Sequence, residues 1–153
     1  MTLKTDAHIA LLAPVPLEHL ESGQNLKERV AFGSCGSRAL KLFQKLDKER
    51  AGMDVDVYIY ASPAQSGLEV SWAARYVGSV KSVNGAHPDG MKYRPESTVN
   101  DTESDVFWEV KDLKQLPPEE RILVSQLTGF GSSKKKAYSP TFAPRSPLLI
   151  NHP

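Results

Sequence analysis

Residues 54–83 read DVDVYIYASPAQSGLEVSWAARYVGSVKSV. Valine, isoleucine, tyrosine and tryptophan dominate the two halves, and Pro63 to Gly67 break the run between them. Side chains of this kind pack well on a pleated, half-buried surface, so the reading is strand, turn, strand, over Val55–Ala61 and Glu69–Val83. Gly78 marks a bulge or bend in the second strand. A third strand follows at Asp105–Leu113, DVFWEVKDL.

Working outward, His8–Ala13 is a continuous apolar run suited to a strand buried on both sides, ended by Pro14 and Pro16. Pro16–Gly23 reads as a short helix with proline in its first turn and Gly23 as a left-handed stop. A second helix begins at Ser37, its expected cap. Ala39, Leu42, Phe43 and Leu46 recur at helical spacing with lysines between them, and Gly52 closes it. The stretch 84–104, NGAHPDGMKYRPESTVNDTES, loses all apolar periodicity and reads as a long polar loop. Pro117–Arg121 opens a short turn or helix, residues 132–140 form a basic, mobile segment, and Phe142–Ile150 holds a last strand interrupted by prolines. Strand, helices, several strands and a final strand argue for a single α+β domain over 1–153. The expected form is a small, mixed, strongly curved β-barrel with two or three short helices against it.

Composition narrows the function classes. The 153 residues are 40% hydrophobic and 24% charged, ordinary for a globular chain. A net charge of +1 excludes a global drive toward nucleic acid or membrane, so any such binding must come from a local patch. One cysteine, Cys35, excludes an intramolecular disulfide, and His8, His19 and His152 have no metal-ligand spacing. No cofactor is implied. The apolar run IALLA is too short to span a membrane and lacks the form of a secretory signal, so a cytoplasmic protein is expected.

Aromatic side chains are the first functional candidates. Alternation places Tyr58 with Tyr60 and Trp72 with Tyr76 on shared faces, and sends Phe107 and Trp108 to opposite ones. One large aromatic is therefore expected to face away from the core or into a cleft, where it can stack a base. The loop adds His87, Asp89, Lys92, Tyr93 and Arg94 where no packing need is visible. Tyrosine there can stack a base and the cations can hold phosphates. Lys134, Lys135 and Lys136 extend the basic set. Gly33–Ser37 precedes a helix, whose first amides can cradle an anion. For each of these groups the plainer alternative is core, turn or solvated surface.

Strand–helix–helix, then Tyr58–Ser62 (YIYAS), then a strand carrying Val77-Gly78, then Trp108–Val110, resembles the PUA-like superfamily, with its EVE, YTH and ASCH branches. The resemblance covers about His8 to Ile150 and implies a β-barrel nucleic-acid-binding module that reads a modified base of DNA or RNA in an aromatic pocket. Trp72, Tyr93 and Trp108 are the candidate walls, with His87 and Arg94 beside them and phosphates on Lys92 and Lys134–Lys136. The ASCH pattern G-x-K-x-x-E-x-R is met here by Gly23-Gln-Asn-Leu-Lys-Glu-Arg29 in compressed spacing. An amidohydrolase or ribonuclease on this scaffold would use Lys27 or Glu28 with Glu109 for acid–base work. A third class, a protein-interaction module using the 84–104 loop, stays open beside the other two.

Overall fold

The aliphatic run near the N-terminus forms strand β1 (Ile9–Pro16), buried because it lies inside the sheet. The computed structural model describes residues 8–62, 68–131 and 137–153. In chain order, β1 is followed by α1 (Leu17–Gly23), β2 (Val30–Ser34), α2 (Ser37–Glu49), β3 (Val55–Ser62), β4 (Glu69–Val70), β5 (Trp72–Lys81), β6 (Val106–Gln115), β7 (Ile122–Leu123) and β8 (Leu148–Asn151). Short 3-10 turns occupy Glu96–Thr98, Pro118–Glu120 and Val124–Gln126.

Six strands make one mixed sheet in the order β2-β6-β5-β3-β1-β8, with β1 and β3 parallel and the other neighbours antiparallel. β4 and β7 form a small second sheet. The expected α+β class is therefore found, with a mixed sheet and two helices. Barrel closure is not: among the described residues no pairing joins the edge strands β2 and β8.

The expected strands differ from the observed ones in instructive places. Pro14 and Pro16 do not end β1. They continue the pairing with β3 beyond Leu12, where the last pair with β8 lies, so a missing N–H there removes no bond to β8. Gly23 is no left-handed stop; it lies inside α1, and a Cβ there would sit 3.0 Å from Val30 and 3.3 Å from Pro95. The glycine permits close packing. Ser37 does not cap α2 with its side chain. Gly36 precedes the helix at φ 95°, and its N–H donates to the Asp105 carboxylate at 2.6 Å. At Gly78 the register with β6 shifts, consistent with a bulge there.

Both faces of the sheet are covered. Val55, Val57 and Ile59 of β3 meet Trp72, Tyr76, Trp108, Phe43 and Leu46 on the α2 side. Tyr58, from the alternate set, joins Leu12, Val70, Val124, Leu127 and Ile150 in a second cluster. Burial first, and Asp56 second, push the Tyr58 phenol up to about 12. Loop residues also shield both sheet edges, which leaves little unpaired backbone for another chain to add to. The Ala31 N–H of β2 donates to Tyr93 O at 2.7 Å, and the Phe130 N–H donates to Leu149 O of β8 at 3.0 Å.

Candidate functional site

The two tryptophans read as stacking walls are core residues. Trp72 and Trp108 are each 1% exposed. Trp108 packs between Phe32, ring centroids 4.9 Å apart, and Phe43, at 6.2 Å. Phe107 does point to the other face, but it is buried there under His87 at 5.2 Å and the Arg94 guanidinium at 4.8 Å. The expectation that a large aromatic of the set of six faces away from the core or into a cleft is met only in its second form, since all six are buried and Trp108 borders a recess. The loop supplies a second cover that strand periodicity cannot register.

The same cover accounts for the loop's reactive side chains. His87 and Arg94 are each 5% exposed, so the idea that no packing need explains them does not hold. His87 Nδ1 accepts from the Asp89 N–H at 3.0 Å, which leaves the ring proton on Nε2 to donate to Glu109 Oε2 at 2.9 Å. Arg29 Nη1 donates to the other oxygen of Glu109 at 3.0 Å and its guanidinium lies over the Tyr93 ring at 5.1 Å. The cation that meets Glu109 is thus Arg29. Lys27 and Glu28 lie on the exposed surface, and no acid–base pair with Glu109 is formed. Lys92 sits over Tyr93 at 5.2 Å; its ammonium is raised above the ordinary lysine value chiefly by the Tyr93 hydroxyl, with Glu28 adding.

Two of the candidates do converge on one pocket. Arg94 and the buried Trp108 help line a recess of about 80 Å³ between the end of β1, α1, β2 and the loop. His19, Ser34, Thr98, Asp101 and Ser104 complete its polar lining, with Phe32 as an apolar wall. Trp72, His87 and Tyr93 are not part of it. The Trp108 indole N–H donates to Ser34 Oγ at 3.2 Å, and Arg94 Nη1 donates to the Ala31 carbonyl at 2.7 Å. Burial pulls the Arg94 guanidinium below its ordinary range while Asp101 pulls it back up; it remains a fixed cation. The recess therefore offers guanidinium donors, a carboxylate acceptor, and hydroxyl and imidazole groups that do either.

Beside the recess, and sharing Pro14, Gly33 and Ser34 with it, a larger cleft of about 1070 Å³ runs between α2 and the approach to β8. Gly33–Ser37 contribute to its lining, as expected of an anion-holding turn, but the Gly36 amide is already held by Asp105. Cys35 donates to the Glu103 carbonyl at 3.2 Å. Arg38, Lys41, Lys45 and Arg145 also line this cleft, and among the described residues no carboxylate does.

An arrangement of serine, histidine and carboxylate lies nearby. Ser97 Oγ is 2.7 Å from His19 Nδ1, and His19 Nε2 is 3.6 Å from Asp101 Oδ2. The backbone amides beside its serine are already engaged. The N–H groups of Ser97, Thr98 and Val99 are directed to Ser22 Oγ, Pro95 O and Glu96 O, and the Ser97 hydroxyl donates to the Glu18 carbonyl at 3.3 Å. These bonds tie the loop onto α1. Among the described residues no group of three or more His, Cys, Asp or Glu could hold a metal ion, and no helix is long and apolar enough to cross a membrane.

Lys134, Lys135 and Lys136 lie outside the described residues. The residues that the sequence reading passed over are Asp101 and Ser104 in the recess and Arg38, Lys41 and Lys45 in the cleft. Spacing of three and four between the α2 cations was the available signal, but a charged helix face is ordinarily just solvated. No protein-family model and no curated protein matches this chain.

Proposed function

We propose that the protein is a nucleic-acid-binding module that reads one unpaired base, a modified one included, in the recess beneath Trp108. The observation that carries this is the recess itself: donors and acceptors converge on a space backed by the buried aromatics Phe32 and Trp108. Such mixed polarity suits the alternating edge of a base better than a simple anion. At roughly 10–15 Å³ per water-sized position, the volume admits roughly five to eight non-hydrogen atoms, the size of a single-ring base. The kinship that goes with this reading is PUA-like. It is supported by the mixed sheet and by the two helices before β3, although β2 between those helices departs from the order strand–helix–helix on which the resemblance rests.

The test is binding of labelled single-stranded DNA and RNA carrying one modified or unmodified cytosine or adenine. Saturable binding that ranks the bases, and that weakens about tenfold in Asp101→Ala, is expected. Asp101 is 56% exposed, so this variant folds. Equal affinity for every base and for a strand lacking the base overturns the reading.

A second reading has one observation behind it. Val83, Met91 and Val99, in or next to the loop, are exposed. If the loop docks a protein partner, Val83→Ser with Val99→Ser leaves oligonucleotide binding intact and abolishes that docking.

A further inference from the structure

Resting on that base-reading proposal, we infer that the cleft along α2 is a phosphate track for a single strand, held by Arg38, Lys41, Lys45 and Arg145. The chain carries 19 cationic and 18 acidic side chains, so an even mixture is the expectation for any surface. The cleft departs from it: among the described residues its lining holds four cations and no carboxylate.

These cations are not neutralised elsewhere. Many other charged side chains are paired: Arg29 with Glu109, Arg50 with Asp47, Lys111 with Asp54 and Arg121 with Glu69. Arg38, Lys41, Lys45 and Arg145 form no ion pair among the described residues, and all four are exposed. Arg38 and Lys41 stand three apart and Lys41 and Lys45 four apart on one helix, placements at which like charges repel. Lys45 is held only by the face of Phe130, 5.5 Å from its ammonium, so the charge stays available. A polyanion lying between α2 and Arg145 would relieve both repulsions.

The ligand class follows from the neighbouring recess. Pro14, Gly33 and Ser34 border both spaces, so a group seated in the recess continues directly into the cleft. A base in the recess and its flanking phosphates in the cleft describe one strand with that base unpaired. The source of specificity and the source of affinity are thereby separated, as base contacts and phosphate contacts generally are.

The experiment uses the full chain and two probes. The first is a labelled abasic strand of ~12 nucleotides, which has phosphates and no bases; the second is the same length of duplex. Anisotropy across a salt series is expected to give saturable binding of the abasic strand, with log K falling against log salt at a slope of about −2 to −3, for three to four contacts. Lys41→Glu with Lys45→Glu is expected to weaken binding at least about tenfold and to flatten the slope by about 1.4. Lys27→Glu with Lys81→Glu, the same charge change at two exposed sites outside the cleft, is expected to change neither. Circular dichroism confirms that the α2 variant keeps its helix.

No binding of the abasic strand, binding that the α2 variant leaves unchanged, or tighter binding of duplex overturns the track. The two proposals fail separately. Base-ranked binding whose affinity and salt slope are both unaltered in the α2 variant removes the track and leaves the base pocket. Abasic binding through α2 with no base ranking removes the pocket and leaves the track.

Discussion

The loop 84–104 and the outer face of α2 both carry cations, and the molecule uses them in opposite ways. In the loop, Arg94 is buried over Phe107 and bonded to the Ala31 carbonyl, and Lys92 rests on Tyr93. On α2, Arg38, Lys41 and Lys45 stand exposed along a cleft whose lining holds no carboxylate among the described residues. In sequence the loop looks like the functional region and the helix like a solvated surface. Burial changes that ranking for phosphates: Lys92 rests on a ring and Arg94 is buried beside the small recess, whereas the α2 cations face open space.

Four substitutions can break or sharpen this contrast. The largest effect is expected at Gly85, which has φ 86° and a virtual Cβ only 1.8 Å from the Thr102 carbonyl oxygen. Gly85→Ala should cost about 3 kcal/mol or more in urea unfolding, from the left-handed backbone and the backbone clash together. Wild-type stability in this variant would show the loop to be a loose appendage. Arg94→Ala comes next, at about 2–4 kcal/mol, since it uncovers Phe107 and leaves the Ala31 carbonyl unpaired. A loss below about 0.5 kcal/mol, the range of ordinary surface changes, would return Arg94 to the surface class and erase the contrast.

Glu109→Gln tests the support under the loop. The amide keeps the shape but removes the charge shared by Arg29 and His87, at an expected cost of about 2 kcal/mol, discounted because Arg29 is 44% exposed. A chemical-denaturation midpoint equal to wild type would mean that the His87–Glu109–Arg29 contacts do not anchor the loop. The smallest effect belongs to Lys41→Glu with Lys45→Glu, expected within about 0.5 kcal/mol of wild type because neither side chain is buried or paired. A cost above about 2 kcal/mol would make these lysines structural and remove the difference between the two regions.

Much of the secondary structure was legible because it depends on local patterns. The apolar spacing of Ala39, Phe43 and Leu46 marks α2, and the valine- and aromatic-rich runs mark β3, β5 and β6. The candidate site was legible only in part. Arg94 and Trp108 were singled out and do share a recess, whereas Trp72, His87 and Tyr93 belong to the core or to the loop's own packing. Asp101 carried no signal, since 82 positions separate it from His19, which the fold brings within 3.6 Å.

By itself the amino-acid order determined the class of fold, both helices and the strongly patterned strands, though not the edge strand β2, and the absence of a global charge drive. These follow from side-chain periodicity and from counting. Which aromatics are covered, which carboxylate meets which cation, and which positive charges are left facing open space were decided only by the tertiary structure. The reason is that burial depends on what packs over a residue from elsewhere in the chain. Loop 84–104 lies over Phe107, Asp105 occupies the Gly36 amide, and the cations beside the cleft meet no such partner.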